Sequence, residues 1–197
     1  MKKFFYTFVC AIFSVILYSC DLELQTNEDY KGTSLDIYQH MTCWEYMEQH
    51  ADEFSSMMKA VELCGMKEYY TQMDTRYTYL LLNETAIADK VKEVEQDPSL
   101  LISLQDILKF HIIKGEYHAY GTLDYNIKYV DTLLGGDAEM SLSLDYGEPH
   151  AADRNDVDRL VVMKGCGSSE VVTALESNLI MDNGPAHILD KICVYQD

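Results

Sequence analysis

The chain reads as an α+β protein, with helices gathered in its first half and strands in its second. Three observations carry that expectation. Apolar residues recur at spacings of three and four between Leu35 and Phe110, the period of helices that bury one face. The runs Leu160-Val161-Val162-Met163, Val171-Val172-Thr173-Ala174 and Asn178-Leu179-Ile180-Met181 are short and β-rich. Asn183-Gly184 is a turn dipeptide, since both residues accept positive φ cheaply, and it opens onto an apolar strand supplied by Ile188, Leu189, Ile192 and Val194. Helices and strands segregated in this way favour α+β over an alternating βα pattern.

The elements follow in order. Ser34 can cap a first helix whose inward face holds Leu35, Tyr38, Met41, Trp44 and Met47. A second helix is expected from Glu53 to Cys64, with Phe54, Met57, Met58, Val61 and Leu63 inward and Gly65 as its stop. Met66 to Met73 adds a short helical turn. Tyr77 to Leu82 has the length and aromatic content of a central strand, and Asn83 can cap a helix from Glu84 to Glu95. Pro98 suits a first helical position, where its missing N–H does no harm, and Ser103-Leu104-Gln105-Asp106 has the form of a capping box before Ile107, Leu108 and Phe110. The methionines and aromatics on these faces are expected to fill core.

The N-terminus says where the protein goes. Lys2 and Lys3 precede an apolar run from Phe4 to Tyr18, and Leu17-Tyr18-Ser19-Cys20 sets a cysteine after a small residue, the pattern of a bacterial lipoprotein signal. At about 15 residues the run is short for a spanning helix, which needs about 20. The division expected is a signal over residues 1–19, acylation at Cys20, an acidic tether over 20–33 and a single domain over 34–197. A plain secretory signal is the rival reading. The tether is polar and lacks periodicity. Asp21 and Glu23, just after the lipid cysteine, suit display on the outer surface of a Gram-negative cell, though a solvated linker has the same composition.

Charge excludes some partners. The chain has 15 Lys and Arg against 33 Asp and Glu, a formal charge of −18, and loses two further positive charges with the signal. Such a surface repels nucleic acid and anionic headgroups, leaving membrane attachment to the lipid alone. Cys43, Cys64, Cys166 and Cys193 remain after the signal and the lipid acceptor. The local pairing of Cys43 with Cys64 and Cys166 with Cys193 is the disulfide expectation, and four buried thiols the alternative. No Cys-x-x-Cys or histidine pair calls for a metal. The acidic stretch Asp145 to Asp158 misses calcium-loop spacing, with Val157 at the fifth position from Asp153 and no glutamate at the twelfth.

Four ordered segments resemble the fasciclin-like (FAS1) adhesion domain. Asn183-Gly184-x-x-His187-x-Leu189-Asp190-x-Ile192 resembles its C-terminal box, and Tyr77 to Ile87 its first box, with Leu82 and Glu84 where that box has Pro and Asn. Leu108-x-Phe110-His111 is similar to its Leu-x-Tyr-His helix end, with Phe110 in place of Tyr. Gly121 to Gly136 fits the loop and Thr-Leu-Leu stretch that follow. The resemblance implies a wedge of two β-sheets with helices packed against it. It also implies partner contact near Phe110 and His111, without the phenol hydroxyl.

These readings converge on a lipid-anchored outer-membrane protein, periplasmic or surface-exposed, that binds and does not catalyse. Adhesion or protein–protein interaction is the first expectation. The alternative is a glycan-binding lipoprotein accessory to nutrient uptake, suggested by 15 tyrosines and one tryptophan. No Gly-x-Ser-x-Gly elbow accompanies Ser168, Ser169 or Ser177, and no cofactor is implied. Asn183 and Gly184 are expected to turn the chain, and His187 and Asp190 to satisfy backbone groups, as a structural signature that closes the core.

Overall fold

A computed structural model describes residues 38–136, 138–145, 159–166 and 170–194. The signal, Cys20 and the tether lie outside the described residues, as do most of the acidic stretch 145–158, Ser168 and Ser169. Five α-helices and two four-stranded sheets are described, an α+β architecture.

The helices come first. α1 (Cys43–Gln49) starts at Thr42, whose hydroxyl accepts from the Glu45 amide while the Glu45 carboxylate accepts from the Thr42 N–H at 2.7 Å, a complete capping box. The expected helix from Ser34 is therefore corrected at its described end. Tyr38 forms a parallel bridge to Ile180, and His40 takes a positive φ, so that stretch lies along a sheet edge. α2 (Ala51–Leu63) buries Phe54, Met57, Ala60 and Val61, one helical stripe. It closes as a Schellman motif, Gly65 N–H donating to Glu62 O and Met66 N–H to Val61 O, with Met66 buried behind it.

α3 (Lys67–Thr71) leads to β1 (Tyr77–Leu82), and Asn83 caps α4 (Glu84–Gln96) through the Ala86 amide, as expected. Asp97 then starts a 3₁₀ turn over Pro98–Leu100 that runs straight into α5 (Leu101–Phe110). Ser103 thus sits inside a helix, and the capping box expected there does not form.

Sheet one has the order β2-β1-β8-β7, with β2 (Ile112–Lys114), β7 (Glu176–Met181) and β8 (Gly184–Leu189). β1 and β8 are parallel, and the other neighbours antiparallel. Sheet two is an antiparallel meander of β3 (Lys128–Val130), β4 (Met140–Leu144), β5 (Leu160–Val162) and β6 (Val172–Thr173). β8 ends at Leu189, so Ile192 and Val194 lie beyond the strand expected to contain them. The sheets meet where Ile113 bridges Thr132, Lys114 N–H donates to Asp131 O and Leu133 N–H to Ile112 O, both at 2.8 Å.

The core runs through both sheets and the inner helix faces. Cys43, Cys64, Cys166 and Cys193 are all buried free thiols, which departs from the local disulfide pairing. Burial pushes Cys64 up to about 11 and Cys193 up to about 12, so these thiols stay protonated at neutral pH. No described helix is long and apolar enough to cross a membrane.

Candidate functional site

At the junction of the two sheets lies an open groove of about 400 Å³. Its walls carry Tyr117, Tyr129, Lys114, Asp131 and Glu139, and Val130 and Met140 pack beneath into the core. Among the described residues the side chains of Lys114, Asp131 and Glu139 form no ion pair and no hydrogen bond within the protein, so their polar heads are open to a ligand.

Both tyrosines are held in place. Tyr117 is clamped through its backbone: its N–H donates to Thr78 Oγ1 at 2.8 Å, and its carbonyl accepts from His187 Nε2 at 3.0 Å. The Thr78 hydroxyl in turn donates to Gly115 O at 2.8 Å, and the other nitrogen of His187 accepts from Asn178 N–H at 3.3 Å. These partners fix the neutral Nε2–H tautomer. Asn178 can donate there because a β-bulge between Glu176 and Leu179 gives it a positive φ, and its side-chain oxygen takes the Ala119 amide. Burial pushes His187 down to about 4, against the help of its bond to Tyr117 and aided by the charge of His118.

Tyr129 is 59% exposed yet not loose, because its hydroxyl donates to Gly165 O at 3.1 Å. Gly165 has φ +89°, and a β-carbon there would meet the Tyr129 hydroxyl at 3.2 Å and Ile127 Cδ1 at 3.1 Å. Glycine at 165 is what lets the ring lie down on this loop.

The residues singled out by sequence fall elsewhere. Phe110 and His111 are both fully buried, so neither side chain faces a partner. His111 Nδ1–H donates to Ile107 O at 2.8 Å and its Nε2 accepts from Cys193 N–H at 3.0 Å, pinning the C-terminal segment to the end of α5. Burial pushes this imidazole down to about 4 as well, opposed by the Ile107 bond.

Asn183 is a crosslink. Its Oδ1 accepts from Cys43 N–H at 3.0 Å, and its Nδ2 donates to Tyr70 O at 2.9 Å and to the Tyr79 hydroxyl at 3.1 Å, tying α1, α3 and β1 to the β7–β8 turn. Gly184 begins β8 at φ +137°, where a β-carbon would stand 1.9 Å from Tyr77 O. Asp190 is half-buried at the strand end, and among the described residues its carboxylate meets no backbone group; its charge acts on Lys191. Trp44 is buried, with its indole N–H on Glu48 and Lys67 4.1 Å from the ring centroid, which removes the tryptophan as a sugar platform. Ser177 accepts from Leu160 N–H. Among the described residues no three of His, Cys, Asp and Glu gather to hold a metal.

The groove was missed because its described residues come from three separate segments, Lys114 and Tyr117, 129–131, and Gly136 with 138–140, none of them distinctive alone. The nearest sequence signal is Lys128-Tyr129-Val130-Asp131, an aromatic alternating with charge on an edge strand.

Compared with known proteins, a family model described as the Fasciclin domain matches residues 52–194. A solved FAS1 domain pair from the insect cell adhesion molecule fasciclin I is similar at 14% identity, with a TM-score of 0.49, over 77% of this chain and 50% of that one. The chain thus spans half the length of that pair. No curated protein matches by sequence.

Proposed function

Since the chain belongs to the fasciclin domain family, we propose that it is a cell-envelope binding protein of the adhesion or protein-interaction kind, held at the outer membrane of a Gram-negative cell by acyl chains on Cys20. Residues 1–19 would be removed as a signal, 20–33 would tether, and 34–197 would form the binding domain. Fasciclin domains are typically non-enzymatic adhesion domains. One observation supports binding above all: a preformed groove presents Tyr129, pinned by its hydroxyl, and Tyr117, clamped by its backbone, beside charged groups that have no partner among the described residues. Binding to a surface already ordered loses less conformational entropy than binding to a mobile one.

Two measurements test this. Metabolic labelling with an alkyne fatty acid should mark the wild-type chain in the outer-membrane fraction and leave Cys20→Ala unmarked; equal labelling of both would remove the anchor. The full-length protein, solubilised in mild detergent, should capture envelope or matrix proteins or whole cells in a broad pull-down. Capture of none of them would remove the adhesion reading.

A further inference from the structure

We propose that the groove walled by Tyr117 and Tyr129 is a saccharide site, taking a neutral or amino sugar against the Tyr129 ring with Lys114, Asp131 and Glu139 bonding its hydroxyls. This rests on the binding reading above, and gives a location and a ligand class to the glycan alternative drawn from the sequence.

The chemistry of the lining selects the ligand. A pyranose has an apolar face of axial C–H groups and an equatorial belt of hydroxyls, so it needs a flat ring beside closely spaced donors and acceptors. Tyr129 supplies a ring more than half exposed and pinned by its hydroxyl to Gly165. Tyrosine anchors of this kind give large contact area with little entropy to lose. Asp131 and Glu139 are acceptors for hydroxyl or ammonium protons and Lys114 is a donor, and bonds to charged partners are the stronger kind. The described lining sets two carboxylates against the Lys114 ammonium, and the Lys128 ammonium, 5.7 Å from the centroid of the Tyr117 ring, is engaged by Thr122 O; on a chain of formal charge −18 this disfavours anionic sugars. At about 400 Å³ the groove falls in the lower part of the range of small-molecule sites, about 300–1,000 Å³. An extended hydrophobic peptide is a poor occupant, because it would leave three charged groups facing apolar side chains.

The test uses the full-length protein in detergent on an array of neutral, amino and anionic glycans, with one arm of free polysaccharides and another of glycoproteins. Titration calorimetry with the saccharides that bind then gives affinities. Neutral or amino sugars should bind. Tyr129→Ala should weaken them at least tenfold, and Tyr129→Phe, which keeps the ring and loses its pin, about threefold. Asp131→Asn should weaken them measurably, while Ile102→Ala, on the exposed surface of α5, should change nothing. Binding in either arm supports the site and identifies the source of the sugar. Silence at millimolar saccharide, hits confined to anionic glycans, or unchanged affinity in a folded Tyr129→Ala would overturn it. If the saccharide arms stay silent while the full-length protein still captures partners, the saccharide site falls and the adhesion reading stands.

Discussion

Lowering the pH from 7 to 5 should destabilise this protein, although the same change removes negative charge from an acidic chain. His111 and His187 are fully buried as neutral rings, and burial takes each from its ordinary 6.5 to about 4. The folded state therefore refuses protons that the unfolded chain accepts. The stability each neutral ring contributes is complete above pH 6.5 and is lost as the pH falls toward 4. Linkage gives a loss of about 2 kcal/mol per histidine at pH 5, so about 4 for the pair, and about 6 at pH 4. Against a typical total of 5–15 kcal/mol this is a large share. Relief of charge repulsion acts in the opposite direction, so a fall cannot come from net charge. The carboxyls held low by hydrogen bonds, Glu45, Glu84 and Asp97, lose their contribution mainly below pH 5, and Glu53, which burial holds high, is relieved and not strained as the pH falls, so a loss between pH 7 and 5 comes from the histidines. Urea melts at pH 7, 6 and 5 measure the effect as a falling midpoint with a steady slope. His111→Gln and His187→Gln should each remove about half of the pH dependence. A flat midpoint, or an NMR titration of either ring near 6.5 in the folded protein, would refute the reasoning.

Gly184→Ala should fail to fold, or lose more than about 4 kcal/mol, because a β-carbon 1.9 Å from the Tyr77 carbonyl has nowhere to go; a thermal melt within a few degrees of wild type would contradict this. Asn183→Ala should cost about 3 kcal/mol by leaving Cys43 N–H and Tyr70 O unsatisfied, and Asn183→Asp should do no better because it brings a charge into the core, both read from urea midpoints. Glu84→Ala should cost about 1–2 kcal/mol, since its carboxylate accepts from Ser55 Oγ, Ser56 N–H and Ser56 Oγ and so staples α4 to α2; Glu84→Gln should lose less, and equal losses would deny the staple.

Local rules served the sequence reading where partners are near in the chain. β1, the Asn83 cap and the end of α2 at Gly65 depend on a few adjacent residues, and each stands where propensity and capping put it. The failures have a common cause. The spacing from Leu35 to Met47 looked like one helix because two destinations shared it: Tyr38 bridges the edge of β7, while Trp44 and Met47 turn inward on α1. Ser103 resembled a cap because the 3₁₀ turn at Pro98, which feeds α5 without a break, looks from sequence like a separate start. β3 and β4 carry serines and charges that weaken any strand pattern; Ser141 is buried with its hydroxyl donating to Lys164 O at 2.6 Å. The groove was the least legible of all. Its walls come together only when Lys114 and Asp131 pair across the two sheets, a contact between segments with no local reason to meet.

The C-terminal signature and the groove form one mechanical unit. His187 sits on the central strand of sheet one, out of reach of any ligand, yet its Nε2–H holds the carbonyl of Tyr117 while Thr78 on β1 holds the amide of the same residue. Two adjacent parallel strands thus grip one residue of the groove wall from both sides. Protonation of His187 would turn Nδ1 from acceptor to donor against the Asn178 N–H, so the neutral ring is a condition for the clamp. A histidine and an aspartate in one motif invite a catalytic reading. Here the histidine has both nitrogens occupied by backbone and the aspartate stands at the strand end without joining it. What remains for this histidine is to hold the wall of the groove in place from behind, through the Tyr117 carbonyl.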